Sequence, residues 1–88
     1  MKVLFKKMFL KDIEVIPLEF RTSIQREVFE VFPRLTNVHE HLHIKKLAGY
    51  KSFYRMRIGN YRIGFELRTD TVVFYRVLHR KEMYKYFP

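Results

Sequence analysis

The sequence predicts an α+β fold: an N-terminal strand, a two-helix hairpin, a three-stranded antiparallel meander and a short C-terminal helix or tail. Three observations lead there. Phe20, Ile24, Val28 and Phe32 recur four residues apart, which puts them on one side of a helix. After Gly49 the apolar period falls to two, with Tyr54, Met56 and Ile58 alternating with Arg55 and Arg57. The chain has 88 residues, enough for one modest core and no second lobe, so residues 1–88 are read as a single domain.

The elements follow in order. Lys2 to Lys7 reads as a short strand. Between Met8 and Ile16, Phe9 and Ile13 lie one helical turn apart and predict a short helix. Pro17 suits the first turn of a longer helix, Glu19 complements the dipole at that end, and Pro33 terminates it. Arg21, Gln25 and Arg26 lie off the apolar side, so this helix is amphipathic and covers a sheet. Residues 36–49 have no clean period and are read as a connection. Gly59-Asn60 makes a tight turn between the first two meander strands, and Tyr61, Ile63, Phe65 and Leu67 then alternate with Arg62, Gly64 and Glu66. Thr69-Asp70 makes the next turn, and the run from Thr71 to Leu78 is apolar on both faces, which predicts a central, covered strand. Arg80 to Phe87 reads as a short helix or an ordered tail.

Composition narrows the function classes. Hydrophobic residues make up 48% of the chain and aromatics 17%, which is the composition of a globular domain. There is no cysteine, so disulfides, thiolate zinc sites and cysteine nucleophiles are excluded together, and a reducing compartment is consistent with this. Lys6, Lys7, Lys11 and Asp12 break any apolar run near the N-terminus, leaving neither a signal-peptide core nor a membrane span; a soluble cytoplasmic chain is expected. The net charge of +9 is unevenly spread: residues 1–44 carry a net of +1 and residues 45–88 a net of +8. Solubility alone does not require that asymmetry, whereas a surface that meets a polyanion does.

Strand alternation gives this surface its chemistry. Arg55 and Arg57 share one face of their strand, and the turn sets Arg62 on the same side of the next. Arg80 begins where the last strand ends, beside His79 and one helical turn before Tyr84. Guanidinium forks bind phosphate bidentately and stabilise charge building on it. His79 is the one member of this set whose residue type titrates near neutrality, and it is read as the proton carrier. Arg57, Arg62, His79, Arg80 and Tyr84 are the candidate catalytic residues; Lys45, Lys46, Lys51, Arg55, Lys81 and Tyr86 are the candidate RNA contacts, with Tyr84 and Tyr86 able to stack on bases for ~1–3 kcal/mol each. Only Glu66 and Glu82 lie near this set, so no metal-binding carboxylate cluster and no cofactor is expected. Cleavage by such a set proceeds by attack of a ribose 2′-hydroxyl on the adjacent phosphate and needs RNA. The pattern alone supports a nucleic-acid-binding face; exposed arginines on a sheet are also often only a solvated surface. His39-Glu40-His41-Leu42-His43 formally matches the H-E-x-x-H zinc-protease pattern, but it lacks helical periodicity and is read as a surface loop.

Lys46-Leu47-Ala48-Gly49, the basic pair Arg55 and Arg57, Gly59-Asn60-Tyr61-Arg62 and the apolar strand ending in His79-Arg80-Lys81-Glu82-Met83-Tyr84 together resemble the second half of the RelE/ParE toxin superfamily, and the preceding elements and the length also fit. The resemblance implies a toxin of a type II toxin–antitoxin system. It implies a ribosome-dependent endoribonuclease that cuts mRNA in the A site, with a cognate antitoxin, the ribosome and mRNA as partners and a hetero-oligomer with the antitoxin. It further implies that Arg55 and Arg57 contact RNA and assist activation of the 2′-hydroxyl, Arg62 stabilises the transition state, Arg80 acts at the leaving group and Tyr84 orients or stacks the substrate. The best-known pattern has lysines at the positions of Arg55 and Arg57, and arginine is a poor proton acceptor. Two alternatives remain open: a gyrase-inhibiting ParE-like toxin on the same fold, and a non-catalytic nucleic-acid-binding domain or decayed toxin.

Overall fold

The computed structural model describes residues 1–88. In chain order it contains β1 (Lys2–Phe5), α1 (Lys7–Glu14), α2 (Leu18–Arg26), β2 (Ile44–Lys46), β3 (Phe53–Ile58), β4 (Tyr61–Arg68), β5 (Thr71–His79) and the single-turn helix α3 (Met83–Tyr86). The strands form one sheet in the order β1-β5-β4-β3-β2. β1 runs parallel to β5, and every other neighbouring pair is antiparallel. The expected α+β arrangement is therefore present, and the apolar strand β5 lies inside the sheet as its two-faced hydrophobicity requires.

Two readings need correction. Residues 36–49 are not merely a connection: Ile44–Lys46 forms an edge strand paired with Met56–Tyr54, so the meander has four strands rather than three. Three residues are too few to show a period, and lysines at an edge discourage pairing with another chain. The long helix is also irregular. α2 passes into a π-helical stretch, Glu27–Val31, and closes with a 3-10 turn, Phe32–Arg34, that contains Pro33. A proline has no N–H to donate, which suits the tighter closing turn.

One face of the sheet holds the main core. Phe9, Ile24, Val28, Phe32, Met56, Ile63, Phe65 and Phe74 are wholly buried there, between the helices and alternate residues of β3, β4 and β5. Burying a side chain of this size contributes ~1.5–3 kcal/mol each relative to exposure, which is why the four-residue spacing of the long helix is legible. The opposite face is divided. Leu47, Met83 and Phe87 cover Phe53, Tyr75 and Leu78 at one end. Gly64 allows this close approach: a Cβ there would lie 2.6 Å from Phe87 Cδ2 and 2.7 Å from Met83 Cε. The other end of that face carries the arginines.

α1 packs against β5, whose second half extends past the end of its pairing with β1. The unpaired strand edge there is satisfied by Asp12 of α1. Its carboxylate accepts from the Val77 N–H at 3.1 Å and from the Arg76 guanidinium at 2.7 and 3.0 Å. In the sequence Asp12 is only an interruption of an apolar run. No helix is long and apolar enough to cross a membrane.

Candidate nucleic-acid interface

The β3–β4 hairpin builds the site. Gly59 adopts φ 55 in its turn, a left-handed conformation open to glycine at little cost. That turn sets a register in which Arg57 stands directly opposite Arg62, and Arg55 opposite Gly64. A like-charged cross-strand pair disfavours folding unless something else uses it. Arg80 is tied to the same corner through its backbone N–H, which donates to the Asn60 carbonyl at 2.8 Å.

Arg62 is held in place by the turn itself: its Nη1 donates to the carbonyls of Gly59 and Tyr61, both at 3.0 Å. None of Arg55, Arg57, Arg62 and Arg80 forms an ion pair. Partial burial, and then the repulsion of Arg55, Arg57 and Arg80, hold the Arg62 guanidinium below the usual arginine range, opposed by the nearby Tyr84. Four permanent cations thus meet with no carboxylate in ion-pair contact, an arrangement a bound polyanion would relieve.

These side chains line a chain of depressions. A cleft of about 620 Å³ is bordered by Arg57, Arg62 and Arg80, with Glu27, His41 and His43 on its other wall. A second hollow of about 300 Å³ joins His43 and Lys45 to Arg55, Arg57 and Arg62. A third, of about 380 Å³, is lined by Lys45, Lys46, Tyr50, Arg55, Tyr84 and Phe87. Cationic groups run through all three hollows and aromatic rings gather in the third, the combination a single-stranded nucleic acid binds.

The structure brings together most of the residues singled out in the sequence. Arg55, Arg57, Arg62, Arg80, Lys45, Lys46 and Tyr84 border the track. Tyr84, 72% exposed, is free to stack. Tyr86 is elsewhere, with the Arg76 guanidinium 5.5 Å from its ring centre, and Lys51 and Lys81 border none of the three hollows. His79 does not reach the cleft. It pairs with Tyr61, on the face opposite Arg62, its ring packs edge-on to Tyr61 at 5.7 Å, and its Nδ1 accepts the Lys81 N–H.

The imidazoles that do line the cleft are His41 and His43, together with Glu27, none of which the sequence reading placed there. A faint signal exists: His41, His43 and Lys45 occupy alternate positions leading into and through β2. The three histidines of this segment meet different partners on neighbouring elements. His39 packs on Tyr54, His41 faces Glu27, and His43 approaches Arg57. The segment begins in a 3-10 turn, Val38–Glu40, and not in the continuous helix a zinc-protease motif needs.

Similarity to known proteins agrees with this geometry. The family described as the ParE toxin of type II toxin–antitoxin system, parDE, matches residues 3–84. Toxin RelE3 of Methanocaldococcus jannaschii is 48% identical over 88 residues, the full length of both chains. The crystal structure of the RelB-RelE antitoxin-toxin complex from Methanococcus jannaschii contains a chain 45% identical to this one, with a TM-score of 0.80 and coverage of 97% of this chain and 99% of that one. The isolated E. coli RelE toxin shares the fold alone, at 17% identity and a TM-score of 0.68 over 89% of this chain and 82% of that one. The chain therefore belongs to the RelE/ParE superfamily, as a RelE-like toxin of a type II toxin–antitoxin system.

Proposed function

We propose that this toxin is a ribosome-dependent endoribonuclease that cuts mRNA in the ribosomal A site and so stops translation in the cytoplasm. The observation that carries the reading is the Arg57–Arg62 cross-strand pair, joined by Arg55 and Arg80 and left without a carboxylate partner. Folding alone gains nothing from such a cluster, while a phosphodiester passing through a dianionic transition state gains a great deal.

The reaction is attack of a ribose 2′-oxygen on the neighbouring phosphorus. Arg62, fixed by two turn carbonyls, is suited to the non-bridging phosphate oxygens. Arg55 and Arg57 hold the backbone and orient the 2′-hydroxyl, and Arg80 stabilises charge on the departing 5′-oxygen. Tyr84 stacks on a base and fixes the nucleotide in line. Guanidinium groups supply the positive charge throughout, so the proposed reaction needs no metal ion. Lys45 and Lys46 extend the phosphate-binding track. The solved Methanococcus jannaschii relative is an antitoxin–toxin complex; by the same logic this chain has a cognate antitoxin that covers the basic track, forming a hetero-oligomer until it is removed.

Purified protein added to a translating extract should cut mRNA only where ribosomes hold it, with ends mapped by primer extension and naked mRNA left intact. Arg62→Ala should lower the rate by ~10²–10³-fold, the usual cost of losing one preorganised charge stabiliser. Intact mRNA with a well-folded wild-type protein would refute the nuclease. A second reading has one observation in its favour, the ParE description of the family that matches. A gyrase-directed toxin would inhibit DNA supercoiling and leave mRNA whole, so a supercoiling assay on the same preparation separates the two.

A further inference from the structure

Arginine does not accept a proton at physiological pH, so the arginine cluster leaves open what removes the proton from the attacking 2′-hydroxyl. We infer that His43 is the general base of the cleft, held in position by a His41–Glu27 pair behind it. The inference rests on the nuclease reading and deepens it.

The bonding pattern orders the two rings. The His43 backbone N–H donates to Nδ1 of His41 at 3.2 Å, so that nitrogen is an acceptor and the His41 ring proton sits on Nε2. Nε2 faces the Glu27 carboxylate at 3.2 Å, a donor opposite an acceptor. His41 is largely buried, its side chain 14% exposed, and its ring lies beside Phe32, so the pair is a fixed wall of the cleft. Glu27 comes from the first position of the π-helical stretch of the long helix. Such a stretch re-aims side chains, and it is frequent at functional sites.

His43 stands at the open end of this arrangement. Its carbonyl accepts the Arg57 N–H at 3.1 Å, which extends the β2–β3 pairing by one rung, and its Nδ1 lies 3.5 Å from Arg57 Nη2. A guanidinium can only donate, so Nδ1 presents its lone pair towards the arginines. The charged groups around that ring are Arg57 on β3, Arg62 on β4 and Lys45 on β2, with Arg80 and the Glu27 carboxylate on the further walls of the adjoining cleft. When a phosphate engages Arg57, the His43 lone pair is released beside it. Glu27 thus fixes the His41 ring, and that ring fixes the backbone that carries His43.

The 2′-oxygen gives its proton to His43 Nδ1 and forms a bond to phosphorus. The phosphorus–5′-oxygen bond breaks, the departing oxygen takes a proton from water, and the imidazolium later returns its proton to solvent. The products are a 2′,3′-cyclic phosphate and a 5′-hydroxyl. His41 and Glu27 are positioning residues.

The test is a pH–rate profile of single-turnover cleavage on programmed ribosomes, with ribosome binding measured in parallel. His43→Gln should cut ~10²–10⁴-fold more slowly than wild type, bind ribosomes as wild type does, and lose the fall in rate towards acid pH that an imidazole base imposes. Added imidazole should restore part of the rate to His43→Ala. Glu27→Gln should slow the reaction ~10-fold while keeping that acid fall, because the base remains and only its placement is lost. A His43→Gln protein with the wild-type rate and profile would overturn the assignment and leave the nuclease standing. Loss of the acid fall in His79→Gln or Glu27→Gln, with His43→Gln retaining it, would overturn it equally by moving the base elsewhere. A wild-type protein that never cuts would overturn both readings.

Discussion

Arg57 and Arg62 are cross-strand partners of the same charge, and Arg62 is depressed by burial as well as by three neighbouring guanidiniums. The sign of that effect is destabilising: a cation whose folded pKa lies below its ordinary value weakens the folded state wherever it is charged. Arg57→Gln should therefore stabilise the free toxin. For this partly exposed pair the gain is ~0.3 kcal/mol, or about 1–3 °C in Tm at low ionic strength, shrinking as salt is added. The same variant should lose nuclease activity, the usual trade between stability and a functional site. A melting temperature that falls, or one indifferent to salt, would refute the repulsion. The alternation of β3 and β4 makes these arginines legible in the sequence, because register follows from a two-residue turn. His43 and Glu27 are not legible. One sits in an aperiodic stretch and the other on a helix far away in sequence, and only folding brings them to the same cleft.

Among the elements, α1 shows how a short helix can finish a sheet. Its Asp12 satisfies both an orphaned strand N–H and the Arg76 guanidinium, with side chains only 10% and 19% exposed. Asp12→Ala removes every acceptor from that edge and should cost ~1.5–3 kcal/mol, read from chemical denaturation; Asp12→Asn, which keeps an acceptor for Val77, should cost less. The bond to Asp12 raises the Arg76 pKa above the ordinary arginine range. A raised cation stabilises the fold at every pH below its ordinary value and stops doing so only as pH climbs through the folded value. The penalty of Asp12→Ala should accordingly be the same at about pH 7 and about pH 9; a penalty that vanished by the higher pH would contradict this assignment. The long helix, β3 and β4 were readable because each repeats its apolar period, β5 as an unbroken apolar run, and α1 from the single spacing of Phe9 and Ile13. β2 was not, since the three residues Ile44–Lys46 hold a single repeat and the strand is defined by its partner β3. The pairing of β1 beside β5 was equally hidden: a parallel contact between the two ends of the chain leaves no local mark.

At the scale of the whole molecule, residues 45–88 carry a net charge of +8, and six of their eleven basic residues line one track, while the first half supplies the two longer helices that cover the opposite face. The basic character of that track was legible from charge counting. The reaction was not, because a guanidinium cluster binds phosphate whether or not it cleaves it. The central claim is that this cluster promotes attack by a ribose 2′-hydroxyl, and it is tested most directly by removing that hydroxyl. Ribosomes programmed with an mRNA carrying one 2′-deoxynucleotide at the mapped cleavage position, beside the all-ribose message, should be treated with the purified toxin. The all-ribose message should be cut to a 2′,3′-cyclic phosphate and a 5′-hydroxyl, while the deoxy-substituted message should stay intact at that position. Cleavage of the deoxy-substituted message at the same bond would contradict that claim.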